Sequence, residues 1–212
     1  MQIQGKKFNF LGDSITEGAG ASAPEFKYVN VFERKFEPAI VRNYGIGGTR
    51  IARQQNPTVA APIYDLDFCK RALDMDPDAD VVVVFGGTND FGHGDAPFGS
   101  FEDRTSDTFY GACHTLIQEL IEKYPTSTIV FMTPLHREYE TREGRPPLSA
   151  FVSAIREVCE FYSVPVLDLY KTAGICPSVE INKTTYTKDG LHPNDFGMER
   201  VADRLGAFLL SL

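Results

Sequence analysis

Val81-Val82-Val83-Val84-Phe85, followed at once by Gly86-Gly87-Thr88-Asn89-Asp90, is the stretch on which the fold turns. Five successive apolar residues leave no polar face. The run therefore reads as a strand buried on both sides, of the kind found at the centre of a parallel sheet. The glycines and small polar residues end it and bring an amide and a carboxylate to its carboxyl end. Outward from this strand, similar runs recur at residues 7–12, 40–44, 129–132 and 165–169. Helical patterns fill the intervals, at residues 28–36, 63–75, 105–124, 148–162 and 193–210. Pro77 and Pro125 stop the second and third of these, and Pro193 fits the first position of the last. In the longest, Phe109, Ala112, Cys113, Leu116, Leu120 and Ile121 share one helical face.

Strands alternating with helices imply a parallel sheet covered on both faces. Right-handed crossovers then bring the strands' carboxyl ends to one edge, where α/β sheets bind ligands. The irregular stretches 45–62, 91–104, 133–147 and 173–189 follow strands and are expected to build the pocket. No repeat, low-complexity tract or linker interrupts the chain, so residues 1–212 read as one domain.

Of the 212 residues, 42% are hydrophobic and 24% charged, with a net charge of −8. That is the balance of a globular domain with a substantial core, and the negative charge disfavours nucleic-acid binding. No apolar run approaches the roughly 20 residues of a membrane span. Residues 1–7 lack the apolar stretch and cleavage site of a secretory signal, so the expected compartment is the cytoplasm. None of the cysteines Cys69, Cys113, Cys159 and Cys176 stands in a Cys-x-x-Cys pair, so neither zinc nor redox chemistry is indicated. The first three fall on apolar helix faces and are expected to be buried thiols.

Three segments carry chemistry. Gly12-Asp13-Ser14 follows the first strand. Ser14-Ile15-Thr16-Glu17 also fits a capping box, and the two readings agree, because a serine at a helix start has a free backbone N–H in a field that favours anions. Asn43-Tyr44-Gly45-Ile46-Gly47-Gly48-Thr49 lacks the lysine of a P-loop and the spacing of a dinucleotide site. It reads either as a flexible turn or as a source of one N–H for an oxyanion. Asn89 offers a neutral amide donor at the end of the central strand. Among the histidines, His114 falls inside the long amphipathic helix, while His93 and His136 fall in loops that reach the pocket edge. His192 alone has a carboxylate, Asp189, three residues earlier in a glycine-containing turn. That spacing lets Asp189 accept from one ring nitrogen while the other takes a proton. A nucleophile, a base with its orienter and oxyanion donors are the parts of serine acyl transfer. A metal site built from Asp13, Asn89, Asp90, His93 and His192 is the rival, but the closely spaced Asp-x-His or His-Asp pairs of such sites are missing. No metal and no cofactor is expected.

In this order, the segments resemble the four blocks of the SGNH hydrolases, also called GDSL esterases and lipases, over nearly the whole chain. Gly12-Asp13-Ser14-Ile15 resembles the first block, which implies Ser14 as nucleophile and its N–H as an oxyanion donor. Residues 43–48 resemble the second, which implies Gly48 as a donor, with Gly47 the alternative. Gly87-Thr88-Asn89-Asp90 resembles the third, implying Asn89 as the side-chain donor. Asp189-Gly190-Leu191-His192-Pro193 resembles the last, implying Asp189 as orienter and His192 as base. Ile15 stands where many relatives have Leu, a volume-conserving exchange. The resemblance implies a flavodoxin-like three-layer α/β/α sandwich with a five-stranded parallel sheet, in agreement with the strands read above.

The expected activity is a serine esterase that removes a short acyl group, acetyl foremost, from a carbohydrate or small metabolite through an acyl-enzyme. Polar loops at 91–104 and 133–147 suit a hydroxylated leaving group. Phe91, Phe98 and Phe101 in the first loop are the residues that would instead line a long acyl pocket. They favour the alternative, a lysophospholipase or thioesterase. A catalytically idle domain that binds an ester or glycan is the third reading. The expected partner is a small-molecule acyl ester, with neither nucleic acid nor membrane.

Overall fold

Five strands form one sheet in the computed structural model, which describes residues 1–212. They are β1 (Lys7–Gly12), β2 (Ile40–Gly45), β3 (Val81–Phe85), β4 (Thr128–Met132) and β5 (Val166–Leu167), and every neighbouring pair is parallel in the order β2-β1-β3-β4-β5. The helices are α1 (Ser14–Glu17), α2 (Tyr28–Phe36), α3 (Phe68–Asp74), α4 (Thr88–His93), α5 (Phe109–Lys123), α6 (Leu148–Phe161), α7 (Leu169–Thr172), α8 (Glu180–Tyr186) and α9 (Asp195–Ser211).

Side-chain alternation along the strands divides the interior into two cores. Val81, Val83 and Phe85 join Phe8, Phe10, Val130 and Met132 against Tyr28 and Phe32 of α2 and Val201 and Leu205 of α9. Val82 and Val84 join Leu11 and Phe131 against α3, α5 and α6. A central strand in a three-layer structure has no solvent face, which is why β3 is apolar throughout and fully buried. The strand order reverses between β1 and β3, so the two loops leaving their carboxyl ends diverge to open a crevice. Ser14 follows β1 and Asn89 follows β3 at that crevice.

Several elements differ from the periodicity. The helix expected over 63–75 is split into a 3-10 turn, Pro62–Asp65, and α3. The break has a local cause, since the Asp67 carboxylate accepts the Lys70 N–H at 2.9 Å and starts a new helix. Thr108 likewise caps α5 by accepting from Gly111, so the helix begins at Phe109, four residues after the expected first residue 105. Pro193 is not the first residue of α9. Asn194 caps it through Gly197, and Pro193 instead bridges to Thr187. β5 is shortened because Asp168 caps α7 through Lys171. Two stretches expected to be irregular contain helices, with α4 reaching into 91–104 and α8 lying within 173–189.

Phe32 is fully buried and packs edge-on against Phe8 and Phe10, so it reports on the α2 layer. Phe32→Ala should lower the free energy of urea unfolding by about 3–5 kcal/mol. Leu210→Ala, at an exposed position on α9, should change it by less than about 0.5 kcal/mol. Comparable losses at the two positions would contradict this layering.

Candidate active site

β1 delivers Ser14 directly to the sheet edge. Gly12 has no room for a Cβ, which would run into the Thr16 side chain, so α1 begins tight against the strand end. The Asp13 carboxylate caps α1 by accepting the Ile15 N–H at 3.0 Å. Burial raises the Asp13 pKa to about 7, against the opposing pull of the Ile15 amide and of His192. The Ser14 hydroxyl lies 3.0 Å from His192 Nε2. On the far side of that ring, Nδ1 is 2.7 Å from Asp189 Oδ2. The other Asp189 oxygen accepts the N–H groups of Leu191 at 3.0 Å and His192 at 2.7 Å. Partial burial works against ionisation of Asp189, yet the hydrogen bonds from the His192 ring and these amides outweigh it, and its pKa is lowered. An ionised Asp189 must accept from Nδ1–H, so Nε2 of the neutral ring is a lone pair aimed at Ser14.

The second wall comes from the loop after β2. The Gly47 N–H is occupied, donating to Glu17 Oε2 at 2.8 Å. The Gly48 N–H has no protein partner and borders the cleft. Gly48 is required here on two grounds: its φ is +76°, and the Tyr64 ring occupies the place of a Cβ. Asn89, nearly buried at the start of α4, donates one amide hydrogen to the Thr49 carbonyl at 3.0 Å and leaves the other free. The free N–H of Ser14, that of Gly48 and the Asn89 amide all border one cleft of about 510 Å³.

Two residues fasten this wall: Arg71, which the sequence did not single out, and Asp90, which it offered only within the third block and as a rival metal ligand. Arg71, buried on α3, donates to the Thr49 hydroxyl at 2.8 Å, to the Gly12 carbonyl at 3.0 Å and to the Tyr44 carbonyl. Asp90, buried on α4, accepts the N–H groups of Ile51 at 3.0 Å and Ala52 at 2.9 Å. The one signal for Arg71 was an arginine set among Phe68, Cys69 and Ala72 on the apolar face of its helix.

The other histidines are engaged elsewhere. His93 lines the cleft, but its Nδ1 accepts from Arg50 Nη2 at 2.6 Å. Burial, with the charges of Arg50, Arg137, Arg142 and Arg145, pushes its pKa down to about 4. Because a guanidinium only donates, the neutral His93 ring carries its hydrogen on Nε2. His136 pairs with Glu140 at 2.7 Å, stacks on Tyr170 and does not line the cleft. His114 is buried in α5 and meets the Tyr162 hydroxyl. Of the residues weighed for a metal site, Asp90 and His93 are thus committed to other partners, and no three His, Cys, Asp or Glu side chains are grouped to hold an ion.

Residues 10–200 match the model of the GDSL-like lipase/acylhydrolase family. No curated protein matches the sequence. Among solved structures, a Lactobacillus plantarum protein is 30% identical, with 99% of this chain and 98% of that one covered and a TM-score of 0.87. An acetyl xylan esterase is 25% identical, with 95% and 98% covered and a TM-score of 0.66. A two-domain esterase active on acetylated mannans shares the fold at 20% identity and a TM-score of 0.63, covering 99% of this chain and 50% of its own. The chain belongs to the GDSL-like lipase/acylhydrolase family and is a carboxylic ester hydrolase.

Proposed function

We propose that this chain is a serine esterase, one domain over residues 1–212, that removes a short acyl group, acetyl foremost, from a carbohydrate or other small hydroxylated metabolite. The observation that carries the reading is the unbroken hydrogen-bonded chain from Ser14 Oγ through His192 to Asp189. Ser14 Oγ attacks the ester carbonyl while His192 Nε2 takes its proton. The N–H groups of Ser14 and Gly48 and the Asn89 amide hold the oxyanion that forms. As the tetrahedral species collapses, the C–O bond to the alcohol breaks and His192 returns its proton to the departing oxygen. His192 then deprotonates a water that attacks the acyl-Ser14 ester; the bond from the acyl carbon to Ser14 Oγ breaks, His192 returns the proton to that oxygen, and the carboxylic acid leaves. Asp189 holds the ring in place and balances the imidazolium charge.

The preference for a short acyl group rests on the cleft's lining. Its apolar residues are Ile46, Ile63, Tyr64 and Leu191, interspersed with Glu17, His93 and Arg137. A long alkyl chain needs continuous apolar cover, worth about 0.8 kcal/mol per CH₂. The three phenylalanines that would have supplied it are used elsewhere. Phe91 packs on Phe151, Phe98 on Phe109 and Phe151, and Phe101 on His114 and Phe161, and none lines the cleft. No helix is long and apolar enough to cross a membrane. All four cysteines are unpaired, which supports a reducing cytoplasm as the compartment.

Ser14→Ala should abolish turnover of p-nitrophenyl acetate while leaving the circular dichroism spectrum unchanged; retained activity would remove Ser14 from its role. Asn89→Ala should lower kcat by roughly 10²–10³ with KM nearly unchanged. A raised KM at intact kcat would make Asn89 a ground-state binding residue instead. Across p-nitrophenyl esters from acetate to octanoate, kcat/KM should be highest at the short end. A steady rise with length would favour the lysophospholipase or thioesterase alternative.

A further inference from the structure

The cleft carries one permanent cation that forms no ion pair, although the charges of Glu140, Asp189 and Asp13 act on it. Arg137 lines it, and the protein's ion pairs all lie elsewhere, including those of its neighbours Arg50 with Asp65 and Glu138 with Lys183. Arg137 is nonetheless fixed. Its Nη1 donates to the Thr88 carbonyl at 3.2 Å and hydroxyl at 3.4 Å, and its Cζ lies 5.4 Å from the centre of the Phe91 ring. Its Nε and Nη2 have no protein acceptor. Arg50, Arg142 and Arg145 surround the same corner, close enough that they and Arg137 all act on His93. Glu17, the one carboxylate that lines the cleft, is engaged with the Gly47 N–H. His93 adds an Nε2–H whose tautomer Arg50 fixes.

Placement shows which part of an ester meets this charge. The residue after Arg137, Glu138, donates its N–H at 2.8 Å to the Gly190 carbonyl within the Asp189–His192 turn. Lys183 holds the Glu138 side chain at 2.8 Å. Arg137 therefore stands beside the turn that carries the base, and the alcohol leaves toward the base that protonates it. Building on the esterase reading above, we infer that the alcohol part of the substrate carries an anionic group, a carboxylate or a phosphate, bound by the free N–H groups of Arg137 with His93 Nε2–H alongside. The planar guanidinium fork matches both anions.

Three acetyl esters test this. 4-Acetoxybenzoate and 4-acetoxybenzamide have the same shape but differ in charge, and 4-acetoxyphenyl phosphate is the phosphate counterpart. The ratio of kcat/KM for an anionic ester to that for the neutral one should fall by roughly 10- to 100-fold in Arg137→Gln, the range for hydrogen bonds to a charged group. Arg137→Lys should restore part of it. The anion with the larger fall is the one the site is built for. In the unmodified protein the ratio should also fall as salt is raised, a reading that needs no variant. Titration with 4-hydroxybenzoate and 4-hydroxybenzamide reports anion binding without turnover, and the benzoate should bind more tightly only where Arg137 is present. Hydrolysis with a ratio unmoved by substitution and salt, and equal binding of the two phenols, would overturn the anion assignment and leave the esterase reading intact. Selective binding of the benzoate without hydrolysis of any ester would overturn the esterase reading and support the anion site.

Discussion

Ser14 and His192 lie 178 positions apart in the chain and meet at 3.0 Å. Much of the fold serves that contact. Ser14 is fixed by β1, which is hydrogen-bonded on both sides in the sheet. His192 sits on a turn held by short-range bonds, with the Lys188 N–H donating to the His192 carbonyl at 2.8 Å and the Gly190 N–H to the Thr187 hydroxyl at 3.0 Å. The two halves are then joined. The Ser22 backbone and hydroxyl, shortly after α1, both donate to Asp195 at the start of α9, at 2.8 and 2.6 Å. Behind them α2 packs on α9 through one shared apolar core. The proposed proton relay is therefore placed by the sheet and the last helix together, and neither segment builds it alone.

The side proposed to hold the oxyanion is fixed by a different device. Arg71 is a buried guanidinium with no carboxylate partner, and burial lowers its pKa to about 10. It stays charged at neutral pH and satisfies that charge on the Gly12 and Tyr44 carbonyls and the Thr49 hydroxyl. Burying a charge costs several kcal/mol unless its hydrogen-bonding capacity is met, so these acceptors and the guanidinium hold one another in place. Those acceptors belong to the ends of β1 and β2 and to the residue after Gly48. Asn89 then takes the Thr49 carbonyl, and Asp90 takes the amides of Ile51 and Ala52. Between them, the Arg50 carbonyl accepts the Phe68 N–H at 2.9 Å. The loop that presents the Gly48 N–H is thus tied to α3 and α4 from Thr49 through Ala52. A donor held this firmly needs little reorganisation as charge develops on the substrate, which is where electrostatic catalysis gains most.

The sequence was most legible where a rule acts over a few neighbours. Val81–Phe85 announced a buried strand because a β-branched run that is apolar on both faces suits the centre of a parallel sheet and little else. Asp189 and His192 were readable as a pair because three residues of separation in a glycine turn leave the carboxylate little else to bind. Reading failed where two local rules competed. A helical period ran through residues 63–75, but Asp67 caps a new helix in the middle of it. Pro193 fits a helix start, yet Asn194 supplies the cap and Pro193 pairs with Thr187. It failed again where partners are remote. Phe91, Phe98 and Phe101 fall in a stretch that reads as loop, but they pack into aromatic clusters with residues of α5 and α6. Arg71 and Arg137 carry no motif at all, and their meaning lies in carbonyls and helices brought near by the fold.

Everything proposed for the chemistry requires that the acyl group pass through Ser14 and stay there until His192 activates water. The most direct measurement is to mix the protein with p-nitrophenyl acetate, quench it in acid within one turnover, and locate the added mass by peptide mass spectrometry. The expected result is one acetyl group, on the peptide containing Ser14 and assigned to that residue, and none in the Ser14→Ala protein. Acetyl found on another residue at a rate matching turnover, or steady turnover by the Ser14→Ala protein, would contradict it.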